Sequence, residues 1–405
     1  MKILFITLFG IDNIEERGIY TDLMRCFVNH GHDVIVVSPI ERKFKRKTQL
    51  TKSKNCEILR VKCLNIQKTN IFEKTIGTFF IDIQIKKAIQ KHIKVLGIDL
   101  ILYSTPPITL TNTIQYCKEI SGAKTYLLLK DIFPQNAVDL NFITTKSPLY
   151  KYFRKKEKEL YGLSDKIGCM SPANVEFVRK HNPEVESTKL EICPNSIYPI
   201  DFIPNEETKN QTRLDFDLPL DKRIFIYGGN LGKPQGVDFI IEFLDFQKNN
   251  NQAFFVIVGS GTEYPKIEKW YQTNKPQNIR LLTQLPKNKY DDLMKSADVG
   301  MIFLDHRFTI PNFPSRLLSY MEYEIPVIAA TDKNTDIGLI IEKYGFGKWS
   351  LSNDLESLNS IVEEFTYLDN GELNRIGKNG RTYLDRECHV ENAYSQILKK
   401  EKIER

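Results

Sequence analysis

The hydrophobic positions of this chain follow two alternating spacings along most of its length. Short apolar runs at residues 3–8, 34–37 and 100–103 predict buried strands. Between them, apolar side chains three and four positions apart predict amphipathic helices at residues 18–29 and 109–120. Strands that alternate with helices of this length predict βαβ units and a parallel sheet.

The alternation is interrupted once and then resumes. Residues 194–219 are polar and contain four prolines, and a strand follows at residues 223–227. After a strand at residues 327–330, only helices are predicted. A chain of 405 residues is longer than one core usually supports. We therefore predict an α/β fold with two doubly wound parallel-sheet domains, joined near residue 205 and facing a cleft at the carboxyl ends of their strands.

Composition and cysteine usage narrow the class of protein. Hydrophobic residues make up 41% and charged residues 27%, which is typical of a globular chain. No signal-peptide pattern and no apolar run near the roughly 20 residues of a transmembrane helix are present, so we expect a cytoplasmic location. The seven cysteines lack a Cys-x-x-Cys pair, which favours reduced thiols over disulfides or a zinc site.

Positive charge is concentrated in the first half of the chain. Residues 1–200 contain 31 Lys and Arg against 20 Asp and Glu, while the whole chain has a net charge of +6. Basic clusters at residues 42–47 and 154–156 are accompanied by Phe44, Tyr150, Tyr152 and Phe153. Such clusters can bind an anionic membrane surface, although a solvated face is the simpler interpretation of either one. Nucleic-acid binding is disfavoured because no known binding motif is present.

Two junctions in the first half contain candidate substrate residues. Gly18 precedes a helix, where a missing side chain would let a substrate approach the helix N-terminus; a plain helix-start glycine is an equal alternative. Asp131 follows the predicted strand at residues 125–129, where its carboxylate would orient a hydroxyl group or accept its proton. Capping of the next turn is the alternative role of this aspartate.

A glycine-rich segment opens the second half, directly after a strand. Its candidate phosphate-binding residues are Gly229, Asn230, Lys233 and Gln235. Glycine-rich backbone with a lysine at a helix start is typical of phosphate sites, and an ordinary glycine turn is an equal alternative. The segment is neither a Walker loop nor a Gly-x-Gly-x-x-Gly fingerprint. Gly259 belongs to a weaker Gly-x-Gly after the next strand.

The junction at residues 308–321 contains the most specific signal. Pro314 followed by Ser315 predicts a helix start, with Ser315 as the N-cap. Arg316 then lies in the first turn, where the helix dipole disfavours a cation. This conflict indicates a bound anion, such as a diphosphate, beside Arg316.

No metal site is expected. The Asp-x-Asp at residues 215–217 resembles a metal-binding motif of sugar transferases, but it precedes a strand instead of following one. The six histidines show no zinc-ligand spacing: His30 and His32 flank a helix-ending glycine, and His306 is isolated.

Six short motifs occur along the chain in a fixed order. They are Gly31-His32-Asp33-Val34, Ser104-Thr105-Pro106-Pro107, Asp131-Ile132-Phe133-Pro134, Ser171-Pro172, Pro194-Asn195-Ser196 and Ala297-Asp298-Val299-Gly300. Together they resemble a bacterial family 4 glycosyltransferase of the GT-B fold, in the branch that builds capsule and O-antigen polysaccharides. The resemblance implies an acceptor-binding domain at residues 1–204, a donor-binding domain at 205–389 and a last helix at 390–405 that packs on the first domain.

The resemblance also implies a reaction. A sugar would pass, with retention, from a nucleotide sugar such as a UDP-sugar to a polyprenyl-diphosphate-linked saccharide at the inner face of the cytoplasmic membrane, without metal or cofactor. Asp131 and Arg316 would be catalytic. The donor would contact Gly18, Gly229, Asn230, Lys233, Gln235, Gly259, Leu285, Phe313, Pro314, Ser315 and Arg316.

The chain departs from the family pattern at several positions. Pro311 and Ser319 occupy the places of two glutamates, and Glu324 replaces a glycine. Asn230 and Gln235 replace a phosphate-binding Arg and Lys. A non-catalytic GT-B subunit that binds a glycan or a partner is therefore an alternative, and a sugar-nucleotide epimerase is a weaker one. A nicotinamide-dependent dehydrogenase would need a fingerprint near residue 10, which is missing.

Overall fold

The computed structural model describes residues 1–66 and 71–399. Contacts divide the chain into two compact units, each with its own sheet. The first unit contains Met1–Tyr198 and the chain from His389, and the second contains Pro199–Cys388. The sequence had suggested divisions after residues 204 and 389, and residues 400–405 of the predicted last helix lie outside the described part.

The order of elements follows the alternation of strands and helices expected from the sequence. In the first unit it is β1 Lys2–Ile6, α1 Ile19–Asn29, β2 Asp33–Glu41, β3 Gln49–Lys52, β4 Cys56–Cys63, α2 Ile71–His92, β5 Leu100–Ser104, α3 Thr111–Ser121, β6 Lys124–Leu129, α4 Gln135–Asp139, α5 Pro148–Leu163, β7 Lys166–Cys169, α6 Pro172–His181 and β8 Leu190–Ile192. The second unit continues with α7 Glu206–Asp215, β9 Arg223–Asn230, α8 Val237–Gln247, β10 Ala253–Ser260, α9 Tyr264–Asn274, β11 Ile279–Leu282, α10 Lys287–Lys295, β12 Val299–Phe303, α11 Arg316–Glu322, β13 Val327–Thr331, α12 Ile337–Lys343, β14 Gly347–Leu351, α13 Leu355–Tyr367 and α14 Asn370–Glu387, and α15 Val390–Ile397 follows.

The first unit is built on a sheet with the order β3-β4-β2-β1-β5-β6-β7-β8 in the described chain. Neighbouring strands are parallel except β3 and β4, which are antiparallel. The central strand β1 is apolar and almost fully buried because helices cover both faces of a doubly wound sheet. The predicted doubly wound sheet is therefore confirmed, while β3, β4, α2, α4 and β8 were not predicted.

The last described helix, α15, belongs to the first unit. It packs on α1, where the rings of Tyr394 and Phe27 are 5.2 Å apart. The backbone N–H of Val390 also donates to the carbonyl oxygen of Ile197, at 2.9 Å. The chain therefore returns to the sheet of its first unit after completing the second.

The second unit has a parallel sheet with the order β11-β10-β9-β12-β13-β14 in the described chain. Its core contains stacked aromatic rings such as Phe225 and Phe255, 5.2 Å apart. At residue 324 the backbone is left-handed, with φ of 54°, so Glu324 adopts a conformation that suits the glycine of the family pattern.

Two local predictions for the second unit were wrong. The polar stretch at residues 194–219 contains α7, whose start is capped by the Asn205 side chain and whose Arg213 is buried against Asp298. The region predicted as purely helical contains β14, a short strand that pairs with β13. The Asn205 cap of α7 is a local signal that sequence inspection overlooked, whereas β14 depends on its pairing with β13.

All seven cysteines are buried and unpaired. Among the helices that the structure describes, none combines the length and the apolar character needed to cross a bilayer.

Candidate functional site

Two glycines face each other at the carboxyl ends of β9 and β10. Gly259 pairs with Gly229 in the register of the two strands. A Cβ atom at Gly259 would lie only 1.8 Å from the carbonyl oxygen of Gly229, so no other residue fits there without moving the strands. The close approach leaves this edge of the sheet bare of side chains, as a phosphate site requires.

The turn after β9 is held by its own side chains. Asn230 Nδ2 donates to Gln235 Oε1 at 2.8 Å, and the N–H of Gly232 donates to the same oxygen at 3.3 Å. The Tyr227 hydroxyl donates to the carbonyl oxygen of Asn230 at 2.7 Å. Gln235 therefore shapes the turn, while Lys233 begins a single 3₁₀ turn ahead of α8. Gly229 and Asn230 are exposed at this edge.

Arg316 lies beside the glycine turn. Its guanidinium carbon is 4.4 Å from the centre of the Tyr227 ring, in cation–π contact. A Cβ at Gly229 would be 3.0 Å from Arg316 Nη2, so the guanidinium approaches the backbone that only glycine leaves open. Nη1 is buried and has no hydrogen-bond partner among the described residues. A buried guanidinium N–H without an acceptor is costly, which marks this position as suited to an anion.

The predicted capping role of Ser315 was wrong. Ser315 precedes α11, but its backbone is already helical, with φ of −63° and ψ of −20°. An N-cap needs an extended backbone for its side-chain oxygen to reach the free amides, and Ser315 makes no such hydrogen bond. The exposed side chain of Ser315 therefore does not cap the helix.

Three tyrosines surround the arginine, and sequence inspection did not identify them. Tyr227 lies under the guanidinium, and a Cβ at Gly228 would be 2.1 Å from the Tyr290 hydroxyl. The Tyr320 hydroxyl is buried between the carbonyl oxygens of Ile226 and Met301, at 3.1 and 3.2 Å. Burial raises the pKa of Tyr290 to about 12, so the ring remains a neutral wall for Arg316.

The loop before α11 is anchored from β13. The backbone N–H of Asn312 donates to Thr335 Oγ1 at 3.0 Å, and this hydroxyl donates to the buried Asp332 at 2.8 Å. Phe313 is buried and Pro314 partly buried in this loop. Leu285 is partly buried in the β11–α10 loop, next to Gln284, whose Oε1 accepts from Ser260 at the end of β10. The predicted donor residues of the second unit thus follow the carboxyl ends of β9, β10, β11 and β12.

Asp131 follows β6 in the first unit. Asn136 Nδ2 donates to both carboxylate oxygens, at 2.8 and 3.0 Å. The Thr105 hydroxyl donates to the carbonyl oxygen of Asp131 at 3.1 Å, which fixes the backbone. Burial raises the pKa of Asp131 to about 6, and the Asn136 hydrogen bonds oppose that rise. A carboxyl group with this pKa exchanges protons near neutral pH, as an acid–base group does.

Gly18 also belongs to the first unit, at the start of α1. Its N–H donates to Asp22 Oδ1 at 3.1 Å and its carbonyl accepts from Thr21 Oγ1 at 3.0 Å. The buried Asp22 further accepts from the Tyr198 backbone N–H and contacts Arg25. The N–H of Gly18 is therefore engaged by its own helix, which favours the helix-start alternative.

Residues 208–383 match the family described as Glycosyl transferases group 1. The match begins in α7 and ends in α14, so it lies within the second unit and includes the glycine turn and Arg316. This unit is a glycosyl transferase group 1 domain.

Relatives and solved structures extend the likeness beyond this glycosyl transferase domain. The chain is 24% identical over 311 residues to WbjE of Pseudomonas aeruginosa, named a probable glycosyltransferase, covering 75% of this chain and 73% of that one. It is 27% identical over 190 residues, 46% of this chain and 44% of the relative, to WcaI of Escherichia coli K12, provisionally named a colanic acid biosynthesis glycosyl transferase.

The crystal structure of WaaG, described as a glycosyltransferase involved in lipopolysaccharide biosynthesis, matches 98% of this chain and 100% of its own. The TM-score is 0.67 at 15% identity, a likeness of fold. The chain has the GT-B fold, with two Rossmann-like units, as predicted.

Proposed function

We propose that this chain transfers a sugar, with retention and without a metal, from a nucleoside diphosphate sugar to a lipid-linked saccharide during synthesis of a bacterial surface polysaccharide. The observation that carries the proposal is the Arg316 guanidinium, stacked on Tyr227 beside Gly229, with a buried Nη1 that has no hydrogen-bond acceptor among the described residues. The names of WcaI and WaaG support the polysaccharide role. A UDP-sugar is the donor that the family resemblance favours.

The chemistry follows from where charge develops. As the bond from the anomeric carbon to the diphosphate breaks, negative charge grows on the diphosphate. Arg316, Lys233 and the amides of the glycine turn would stabilise this charge, and one such group typically contributes about 3 kcal/mol. The anomeric carbon then bonds to the acceptor oxygen, whose proton passes to an oxygen of the departing diphosphate. The Asp131 side chain, as an ionised carboxylate, would hold that hydroxyl group in position.

Support for membrane association comes from α2. Phe79, Phe80 and Ile83 are each between 39% and 49% exposed on this helix, and Phe79 lies against Tyr152, 4.9 Å between ring centres. Exposed aromatic and aliphatic side chains on a positively charged unit are suited to an anionic lipid surface. The proposal therefore places the enzyme at the inner face of the cytoplasmic membrane, where it would meet a polyprenyl-diphosphate acceptor.

The first experiment measures nucleotide binding by the purified full chain. UDP, GDP, ADP and dTDP are tested by thermal shift and calorimetry, with and without Mg²⁺. We expect one nucleotide to bind, Arg316→Ala to abolish binding and Arg316→Lys to weaken it, because lysine lacks the bidentate geometry of the guanidinium. Arg375→Ala is the matched control, since this exposed arginine lies on α14.

The outcomes distinguish a sugar transferase from a non-catalytic glycan-binding subunit. Binding that survives in Arg316→Ala would refute the assignment of the diphosphate site. Failure of the folded wild-type chain to bind any of the four nucleotides would refute the transferase proposal in favour of a non-catalytic glycan-binding subunit. A requirement for Mg²⁺ would refute the metal-independent mechanism while leaving the transferase assignment standing.

A further inference from the structure

A cysteine, a histidine and a glutamate meet where α1 and α15 pack together. Cys26, His30 and Glu391 each place one donor atom within 4.8 Å of the other two. We propose that these three residues bind a Zn²⁺ ion that links the C-terminal helix to the first unit.

The helical spacing of two of the residues directs them to one side. Cys26 and His30 are four residues apart, so their side chains lie on the same face at the end of α1. Cys26 Sγ is 3.9 Å from His30 Nδ1. Glu391 is in the first turn of α15, and the rings of His30 and Tyr394 are stacked at 4.1 Å, which fixes the histidine against the same helix.

The hydrogen bonds of His30 identify which nitrogen would bind the ion. Nδ1 is 2.9 Å from the carbonyl oxygen of Cys26, and because a carbonyl only accepts, Nδ1 carries the hydrogen. Nε2 then presents its lone pair, 3.4 Å from Glu391 Oε2. Two lone pairs facing each other repel unless a cation lies between them. That cation is either a proton, which makes an ordinary ion pair, or a metal ion.

The third donor favours the metal. Cys26 Sγ is fully buried next to the pair and supplies a soft ligand, and sulfur, imidazole nitrogen and carboxylate oxygen together form a typical zinc donor set. Zinc binds sulfur at about 2.3 Å and nitrogen or oxygen at about 2.0 Å, so donor atoms that lie within 4.8 Å of one another must approach slightly to share the ion. His30 and Glu391 are 38% and 40% exposed, so an ion and its fourth ligand, a water molecule, have access from solvent.

Partners behind the ligands also suit a metal. The Tyr198 hydroxyl donates to Glu391 Oε1 at 3.2 Å and leaves Oε2 to face the histidine. The Cys26 carbonyl orients the imidazole in the same way. Outer hydrogen bonds of this kind orient the ligands of protein zinc sites, and their loss typically weakens binding by about tenfold or more.

The site would explain how a helix at the end of the chain stays on the first unit. The ion would cross-link α1 and α15, whose side chains otherwise meet through packing such as the Tyr394–Phe27 contact. This differs from the expectation of no metal, because the histidine spacings were considered without Cys26. The glutamate ligand lies so far along the chain that no sequence spacing indicates it.

Cobalt provides a direct test, because a Co²⁺–thiolate bond has a charge-transfer absorption band. The chelator-treated full chain is titrated with Co²⁺ and then with Zn²⁺ as competitor. We expect one equivalent of Co²⁺ to give the band and Zn²⁺ to remove it. Cys26→Ser should lose the band, while Cys117→Ser, a buried helical thiol of the same unit, should keep it.

If Cys26→Ser folds poorly, substitutions of the exposed ligands still test the proposal. Zn²⁺ binding should weaken by about tenfold or more in each of the variants Glu391→Gln, His30→Asn and Tyr198→Phe. Zn²⁺ should also raise the melting temperature of the wild type, and raise that of Glu391→Gln much less. His181→Asn serves as the control histidine. Absence of the band in folded wild type, or an equal zinc effect in Glu391→Gln, would overturn the site and leave a His30–Glu391 ion pair.

Discussion

Substitution of Asp131 by asparagine is expected to stabilise the first unit while it impairs sugar transfer. Burial raises the pKa of this carboxyl group to about 6 from an ordinary 3.8. Each pKa unit corresponds to 1.36 kcal/mol, so the folded chain loses about 3 kcal/mol of stability when the group ionises. The side chain is partly exposed and asparagine has one acceptor oxygen for Asn136 instead of two, so we expect Asp131→Asn to gain about 1–2 kcal/mol at pH 8.

The sign of the pH dependence makes the prediction specific. Between pH 3.8 and about 6 the folded state keeps the proton of Asp131 and the unfolded state releases it. The free energy of unfolding of wild type therefore falls as pH rises through this window, and stays lower above it. The variant lacks this titration, so its advantage should be present at pH 8 and absent at pH 3.5.

The assay can separate the two units. Both tryptophans of the chain, Trp270 and Trp349, lie in the second unit, so urea unfolding followed by tryptophan fluorescence reports on that unit. Circular dichroism reports on both units. Asp33→Asn, at an exposed aspartate at the start of β2, is the control for the loss of a carboxylate. An unchanged or lower stability of Asp131→Asn at pH 8, or an equal gain at pH 3.5, would refute the reasoning.

Four further substitutions, one of them a control, have outcomes that follow from the structure. Asn136→Ala removes two hydrogen bonds to the neighbouring carboxylate, so the acid limb of the pH–activity profile should move upward. Gly259→Ala should abolish nucleotide binding measured by calorimetry, because its Cβ would lie 1.8 Å from the carbonyl oxygen of Gly229. Gly162→Ala is the control on an open helix surface, and its free energy of unfolding should rise by about 0.5–1 kcal/mol. Asp298→Ala leaves the buried Arg213 and the partly buried Lys209 without their carboxylate, and should lower the free energy of unfolding by about 3–5 kcal/mol in urea unfolding followed by fluorescence; a loss below 1 kcal/mol would contradict this role.

The departures from the family pattern bear on which steps remain possible. The positions of the two family glutamates hold Pro311 and Ser319, so those carboxylates cannot contact a donor sugar. The positive charge of the site is nevertheless in position, because the tyrosines hold the Arg316 guanidinium against the glycine turn. Under the proposed function, the donor diphosphate is the part of the substrate that this chain is best equipped to bind, and the donor sugar is the part for which the family pattern is least informative.

Much of the secondary structure could be predicted from the sequence. The strands predicted at residues 100–103 and 125–129 are β5 Leu100–Ser104 and β6 Lys124–Leu129, and α1 ends before the helix-ending Gly31, whose φ is 80°. Strands buried on both faces must be apolar along their whole length, and glycine alone adopts left-handed backbone at little cost. Such signals depend on residues that are near in sequence, so they can be recognised without knowledge of the fold.

The chemistry of the site was decided by tertiary structure. Arg316 and Asp131 stood out in the sequence, but the Tyr227 ring under the guanidinium and the Asn136 amide on the carboxylate did not. The helix α7 has a local start signal at Asn205, but the pairing of its Arg213 with Asp298, far along the chain, was not visible in the sequence. A sequence pattern records which positions are buried and how the backbone turns. It does not record the strand order, and strand order is what brings distant polar groups within hydrogen-bond reach and sets their pKa values.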